Sequence, residues 1–400
     1  MPDSPTAPFG SLAPRDFLET YWQKKPLFVR EAFPDFTPPV TANELAGLAC
    51  EPDVQSRLIL EKGGAHPWEL RHGPFEPSVF GTLPDTHWTL LVQEVDRLLP
   101  DAAALLDHFD VVPSWRLDDI MVSYAPEGGN VGAHIDNYDV FLLQAAGTRE
   151  WAIGHDPVEE ERIVPDLDVR ILADFTPDET LTARPGDVLY LPPRVAHHGI
   201  SKSDDCLTIS VGFRAPSHRA LVQSFAQDAV QRLPESARYT DADRPLPDAP
   251  GELPAYDRAR ARRLIRTRLE ALMEDDAALD DWFARTLTTP APGRDAPPRA
   301  EPLAPETLVD YLRDGIGLRR GPVAQLVFAD AEDGTRTLYV NGQGRALSEA
   351  EAPLAPRIAG RARIPAADLL DLIDRAPVQK LLTELVNDGV LEVDHALPDA

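Results

Sequence analysis

A chain of 400 residues with 43% hydrophobic residues is long enough for two or three domains with cores of their own, and too apolar for a disordered protein. Its formal net charge of −27 excludes nonspecific nucleic-acid binding, which depends on cations that neutralise phosphates. The same charge suits a basic partner steered in by long-range attraction, or simply a solvated surface that keeps the protein soluble.

Two cysteines, Cys50 and Cys206, form neither a disulfide framework nor a thiolate metal site, and a reducing cytoplasm is the simple expectation. No apolar run approaches the roughly 20 residues needed to cross a bilayer, so no membrane association is expected. The segment "MPDSPTAPFG" lacks the basic and apolar regions of a secretory signal.

The first block, residues 1–215, begins with "APRDFLETYWQKKPLFVREAF", which reads as a helix from about Arg15 followed by an extended segment after Pro26. "DDIMVSYA", "YDVFLLQAA", "REWAIG", "GDVLYLPP" and "CLTISVGF" then read as short strands bounded by turns, the pattern of an all-β barrel or sandwich. From about His218 the character changes. Ile265, Leu269, Leu272, Leu279 and Phe283 recur at helical spacing, a stripe expected to pack inside a helical domain or against a second copy of the chain. A Pro-rich stretch, "TTPAPGRDAPPRAEPLAP", reads as a linker closing a block of residues 216–300. The last block, residues 301–400, shows a helix, a hairpin turning at "EDG", two further helices and a Gly389 cap leading into a strand. Helices ending in a short β element resemble a winged helix, but acids outnumber bases here and DNA binding is not expected.

Chemistry concentrates in the first block. "GAHIDNYDVFLLQ" holds an H-x-D, His134 and Asp136, and a strand places residues i and i+2 on one face, so both side chains can point inward while Ile135 packs outward. A second H-x-D, His108 and Asp110, follows a helix-like run with no strand beyond it and reads as structural. In "RPGDVLYLPPRVAHHGIS", Gly186, Pro192 and His197 match the spacing of the second metal-binding motif of cupin barrels, departing from it at Arg194, where that pattern has glycine. His197 follows Asp136 by 61 residues, room for several strands to bring the chain back to the same barrel end. Its neighbour His198 faces the other way on an extended segment and is read as a supporting or surface residue. Two histidines and one aspartate in the order H-x-D…H form the facial triad of non-haem Fe(II) oxygenases, which leaves three coordination positions open.

These motifs, with "FLETYWQKKPLFVREAFPDF" before them and "SVGFRAP" after, resemble in order those of the JmjC-type ribosomal oxygenases of bacteria, cupin-superfamily protein hydroxylases that depend on Fe(II) and 2-oxoglutarate. The resemblance covers essentially the whole chain. It implies an α+β architecture of a double-stranded β-helix, a helical dimerisation domain and a C-terminal winged-helix domain. It further implies His134, Asp136 and His197 as iron ligands and, on the strand after the H-x-D, Arg149 as partner of the distal carboxylate of 2-oxoglutarate. Arg214 is the alternative partner, and Ser210 is a further candidate for the cosubstrate. O2 is the oxidant, and the implied target is an arginine of a basic large-subunit ribosomal protein. Asn137, Tyr138 and Asp139 are candidates to line the mouth. Other readings stand beside this one: a histidyl hydroxylase or demethylase of another protein, a metal-cupin enzyme acting on a small molecule, or a non-catalytic dimeric scaffold.

Overall fold

The computed structural model describes residues 8–63, 67–291, 293–294 and 296–395; most of the "MPDSPTAPFG" segment and two positions of the Pro-rich linker lie outside this set. No helix among them is long and apolar enough to cross a membrane.

Two antiparallel sheets face each other in the first block. The larger one contains β1 (Leu27–Val29), β2 (Ser56–Glu61), β3 (Trp68–His72), β4 (Trp88–Val92), β5 (Leu117–Ala125), β6 (Val140–Ala146), β9 (Val188–Leu191) and β11 (Cys206–Phe213), in the order β1-β9-β6-β11-β5-β4-β2-β3. The smaller one contains β7 (Arg149–Pro157), β8 (Glu179–Ala183) and β10 (Val195–Ser201), in the order β10-β7-β8. All five strands expected from the sequence form. β1 is the extended segment expected after Pro26; β2, β3, β4, β8 and β10 are additions, and β10 carries His197.

Period-two alternation divides the large sheet. Leu58, Leu90, Ile120, Val122, Phe141, Leu143, Ile209, Val211 and Phe213 face outward into the main core. The alternate residues, among them Ile59, Leu91, Met121, Leu142 and Ser210, face the smaller sheet and line a cavity of about 420 Å³. Helices cover the outward face. The first, Pro14–Thr20, starts with proline at a position where the fixed φ is already helical, and it buries Phe17 edge-on to Tyr190 with ring centroids 5.0 Å apart. The second, Ala42–Leu48, is held by a capping box between Thr41 and Glu44 and buries Leu45.

Of the two packings expected for the helical stripe, burial inside a helical domain is not found among the described residues. Helix Ala255–Met273 buries no residue, and Ile265 and Leu269 of the predicted stripe are exposed, so they pack inside nothing among the described residues. Phe283, on helix Asp276–Thr288, does pack, its ring meeting Trp115 of the first block at 5.8 Å. The last block has its own core around Leu308, Leu312, Ile358, Leu381 and Leu385. It holds two three-stranded sheets, one of β12 (Gly317–Arg320), β16 (Arg363–Ile364) and β17 (Leu391–Asp394), the other of β13 (Leu326–Asp330), β14 (Arg336–Val340) and β15 (Gln343–Ala346). The β13–β14 hairpin is the one expected to turn at "EDG", and Gly389 (φ +71°) ends helix Ala376–Asn387 as expected. This block docks on the first through Asp107, whose carboxylate accepts the amides of Ala362 (2.7 Å) and Arg363 (3.2 Å).

Candidate active site

The triad forms in the cavity. One donor atom from each of His134, Asp136 and His197 lies within 4.8 Å of the others, and the His197 Nε2 to Asp136 Oδ2 distance is 3.6 Å. His197 stands on β10 between the sheets. His134 and Asp136 sit not on a regular strand but on the loop before β6, pinned to β10 by reciprocal backbone hydrogen bonds between His134 and His197, each 3.0 Å. Between His134 and Asp136, Ile135 packs against Leu172 and Ala196 while also bordering the cavity.

Local contacts set the histidine tautomers. A carbonyl can only accept, so the 3.0 Å contacts of His134 Nδ1 with the Gly132 carbonyl and of His197 Nδ1 with the Val195 carbonyl place the proton on Nδ1. Each Nε2 lone pair is thereby turned to the cavity. Burial, with His134 beside it, lowers the His197 pKa to about 4, which keeps the ring neutral as a ligand must be. Two imidazoles and a carboxylate converging on one point fit a divalent transition metal.

Arg194, the departure from the cupin spacing, has φ +67°, so the glycine of that pattern answers a left-handed turn. Here arginine accepts that conformation and uses it. Its amide donates to the Asp136 carbonyl, and its guanidinium donates to the carbonyls of Val158 (2.8 Å) and Glu159 (3.0 Å), fastening the loop behind the triad.

Arg149 opens β7, one strand further along than the sequence reading placed it, and is 3% exposed. Nη1 makes one long hydrogen bond, 3.4 Å, to the Gly199 carbonyl, while Nε and Nη2 are buried with no partner among the described residues. A buried cation left in this state is costly, and a carboxylate entering the same cavity would satisfy it bidentately. Arg214, the alternative, is engaged elsewhere, with Asp118 (3.4 Å) and the Leu287 carbonyl (3.1 Å), and lines a different cavity. Ser210 lines the triad cavity from β11.

Of the three mouth candidates, Tyr138 lines the cavity with its side chain 42% exposed. Asn137 accepts a hydrogen bond from Arg194 at 3.3 Å. Asp139 is a correction. It is fully buried on the core side, accepting from Tyr190 (2.6 Å) and Gln23 (2.9 Å), and neither faces solvent nor reaches a substrate. The acid that the sequence reading missed is Asp119 on β5. Its Oδ2 accepts the Glu94 amide at 3.1 Å, whereas Oδ1 has no donor among the described residues. The available signal was the alternation of Asp119, Met121 and Ser123 along an otherwise apolar strand. His108 and Asp110 are both exposed and lie outside the cavity, His108 meeting the Phe33 ring edge-on.

Comparison with known proteins agrees with this geometry. A JmjC-domain model matches residues 104–221, and a ROXA-like winged-helix model matches residues 271–392. The ribosomal protein uL16 3-hydroxylase of Escherichia coli K12 is 33% identical over 377 residues, 94% of this chain and 96% of that protein. The chain belongs to the JmjC-type ribosomal oxygenase family. Among solved structures, the ribosomal oxygenase YcfD from E. coli in complex with cobalt and 2-oxoglutarate superposes with a TM-score of 0.77 at 31% identity, covering 96% of this chain and 98% of that one. A probable ribosomal oxygenase of Haemophilus influenzae is 37% identical over 238 residues, 59% of this chain and 57% of that protein. As an oxygenase of this family, the chain has the α+β architecture expected of it: a JmjC barrel followed by a winged helix.

Proposed function

We propose that this chain is an Fe(II)- and 2-oxoglutarate-dependent hydroxylase of a basic ribosomal protein, acting on an arginine side chain. The observation that carries the reading is the buried Arg149 guanidinium, whose Nε and Nη2 lack a partner among the described residues, opening on the same cavity as His134, Asp136 and His197. The uL16 3-hydroxylase among its relatives supports a ribosomal target.

In this reading His134, Asp136 and His197 hold the iron, Arg149 takes the distal carboxylate of 2-oxoglutarate, and Ser210 offers a hydroxyl in the same cavity. Bound iron supplies the oxidation: 2-oxoglutarate and dioxygen become succinate and carbon dioxide while one oxygen atom enters the substrate as a hydroxyl. The protein orients and shields the reacting C–H bond. Val140, Leu142, Met121 and Trp151 give the cavity apolar walls that exclude water. Asp119 offers an anion to a substrate guanidinium, and Tyr138 offers an aromatic face. The exposed Leu264, Ile265, Leu269 and Met273 of helix Ala255–Met273 support pairing with a second copy of the chain.

The direct test is mass spectrometry. The protein is incubated with Fe(II), ascorbate, 2-oxoglutarate and peptides from the host's basic ribosomal proteins. A gain of one oxygen that requires the metal and 2-oxoglutarate, and that fragmentation places on arginine, is expected. A gain on histidine would overturn the arginine assignment and leave the chemistry. No gain on any peptide, with 2-oxoglutarate still consumed, would remove the ribosomal substrate.

The pH dependence tests Asp119. Burial, with Asp118, Asp96 and Glu94 nearby, raises its carboxyl to about 6, so the anion is present above that pH and lost below it. Ionising a group whose folded pKa is raised costs the empty fold stability as pH rises through this window, a cost that a bound guanidinium offsets. The KM for a basic peptide is expected to rise about tenfold per unit of pH below 6 in the native protein. In Asp119→Asn it should be high and independent of pH over the same range, and a native profile retained in that variant would reject the role.

A further inference from the structure

We infer that Asn130 is a positioning residue for the metal centre: its side-chain amide sets the backbone of the loop that presents His134 and Asp136. This rests on the reading that those residues, with His197, hold the metal.

The loop between β5 and β6 crosses the cavity mouth without regular structure of its own and contains Gly128, Gly129 and Gly132, so its ordering must come from contacts. Asn130 lies within it and is buried. Its Nδ2 donates to the Gly128 carbonyl and to Glu61 Oε2, both at 2.9 Å, while its Oδ1 accepts the Gly132 amide at 3.0 Å and lies 3.1 Å from His198 Nε2. The amide's orientation is fixed by chemistry, because the Gly132 N–H can only donate and the carboxylate and carbonyl can only accept. His198 must then carry its proton on Nε2. Every hydrogen-bonding position of the amide is used, and the Thr89 hydroxyl holds the Asn130 carbonyl as well, at 3.1 Å.

Gly132 passes this constraint to the ligand. Its amide is held by Asn130 and its carbonyl receives His134 Nδ1–H. It takes φ +81°, and a Cβ there would lie 2.7 Å from the Ile171 side chain, so the loop has one path past this point. Through His198 the same amide reaches β10 beside His197. One side chain thus ties both ligand-bearing segments to each other and, through Glu61, to β2. Its role is to hold the ligands in register before a metal arrives.

The test is calorimetric titration of the full-length, metal-free chain with Co(II), alongside its metal-free melting temperature. Removing an outer hydrogen-bonding partner of a metal ligand typically weakens binding about 10–100-fold, and Asn130→Ala is expected to fall in that range. Thr89→Val, which releases the Asn130 carbonyl and leaves the amide in place, is expected to melt lower with Co(II) affinity unchanged. Native affinity in Asn130→Ala, with only a lower melting temperature, would make the residue structural and overturn the inference. Should Asn130→Ala not fold, Glu61→Ala at an exposed position removes one acceptor of the amide and is expected to weaken Co(II) several-fold; unchanged binding there also overturns it. If the native chain takes up no Co(II), the metal-site reading fails first and this inference falls with it.

Discussion

Replacing Arg149 with methionine is expected to weaken 2-oxoglutarate binding by a factor of about 100–1,000 while leaving metal affinity near native. Methionine keeps most of the apolar stem and removes the guanidinium, whose Nε and Nη2 have no partner among the described residues. Removing one member of a buried ion pair costs about 3–5 kcal/mol in the bound state, because the carboxylate left behind is desolvated and unpaired. At about 1.4 kcal/mol per tenfold, the lower half of that range gives the stated factor. The empty protein should respond in the opposite direction. A buried cation compensated only in part, by the Gly199 carbonyl and the Trp151 ring, opposes folding, so Arg149→Met should melt no lower than native, and adding 2-oxoglutarate should stabilise the native chain alone. Titration of both proteins with 2-oxoglutarate in the presence of Mn(II), followed by thermal melts, checks this; a variant that retains native cosubstrate affinity would assign the carboxylate to another residue.

Replacing Asp136 with alanine is expected to abolish hydroxylation and to weaken metal binding by more than the roughly 10–100-fold typical of losing a supporting contact. In the proposed centre Asp136 would contribute the single anionic ligand of the three, its side chain neutralising part of the metal's charge. The backbone of Asp136 does separate work, since its carbonyl accepts the Arg194 amide, and alanine preserves that bond. The metal-free melting temperature should therefore be near native. Native protein at a metal concentration about 100 times its Kd gains about 2.7 kcal/mol of stability, and the variant should gain almost none. Melts with and without Co(II), paired with turnover of 2-oxoglutarate, separate loss of metal from loss of fold. Native metal-linked stabilisation in Asp136→Ala would remove this residue from the centre.

The candidate ligands were legible because their spacing is a local property of the chain. One residue between His134 and Asp136, and the run from Gly186 through Pro192 to His197, state which side chains share a face before any tertiary contact is known. Arg149 was found through family likeness rather than through its own surroundings, since nothing in "GTREW" marks the arginine as buried. Helix Ala255–Met273 was legible as a helix, but its stripe does not say what covers it: Ile265 and Leu269 are exposed in the single chain.

By itself, then, the sequence pointed to a candidate ligand set and the class of chemistry, both of which rest on motifs and spacing along the chain. The tertiary structure decided which polar residues face the cavity. Strands of the large sheet are buried on both faces, so β6 and β11 read as nearly continuous apolar runs that do not mark the cavity side. Asp139 precedes Val140 by one residue, and that single step puts it with Phe141 on the core side while Val140 and Leu142 line the cavity. Asp119, equally acidic and no more conspicuous, lies in register with Met121 and Ser123 and lines the cavity. Strand parity, fixed only when β5, β6 and β11 pair, separates the acid that can meet a substrate from the one that holds the core together.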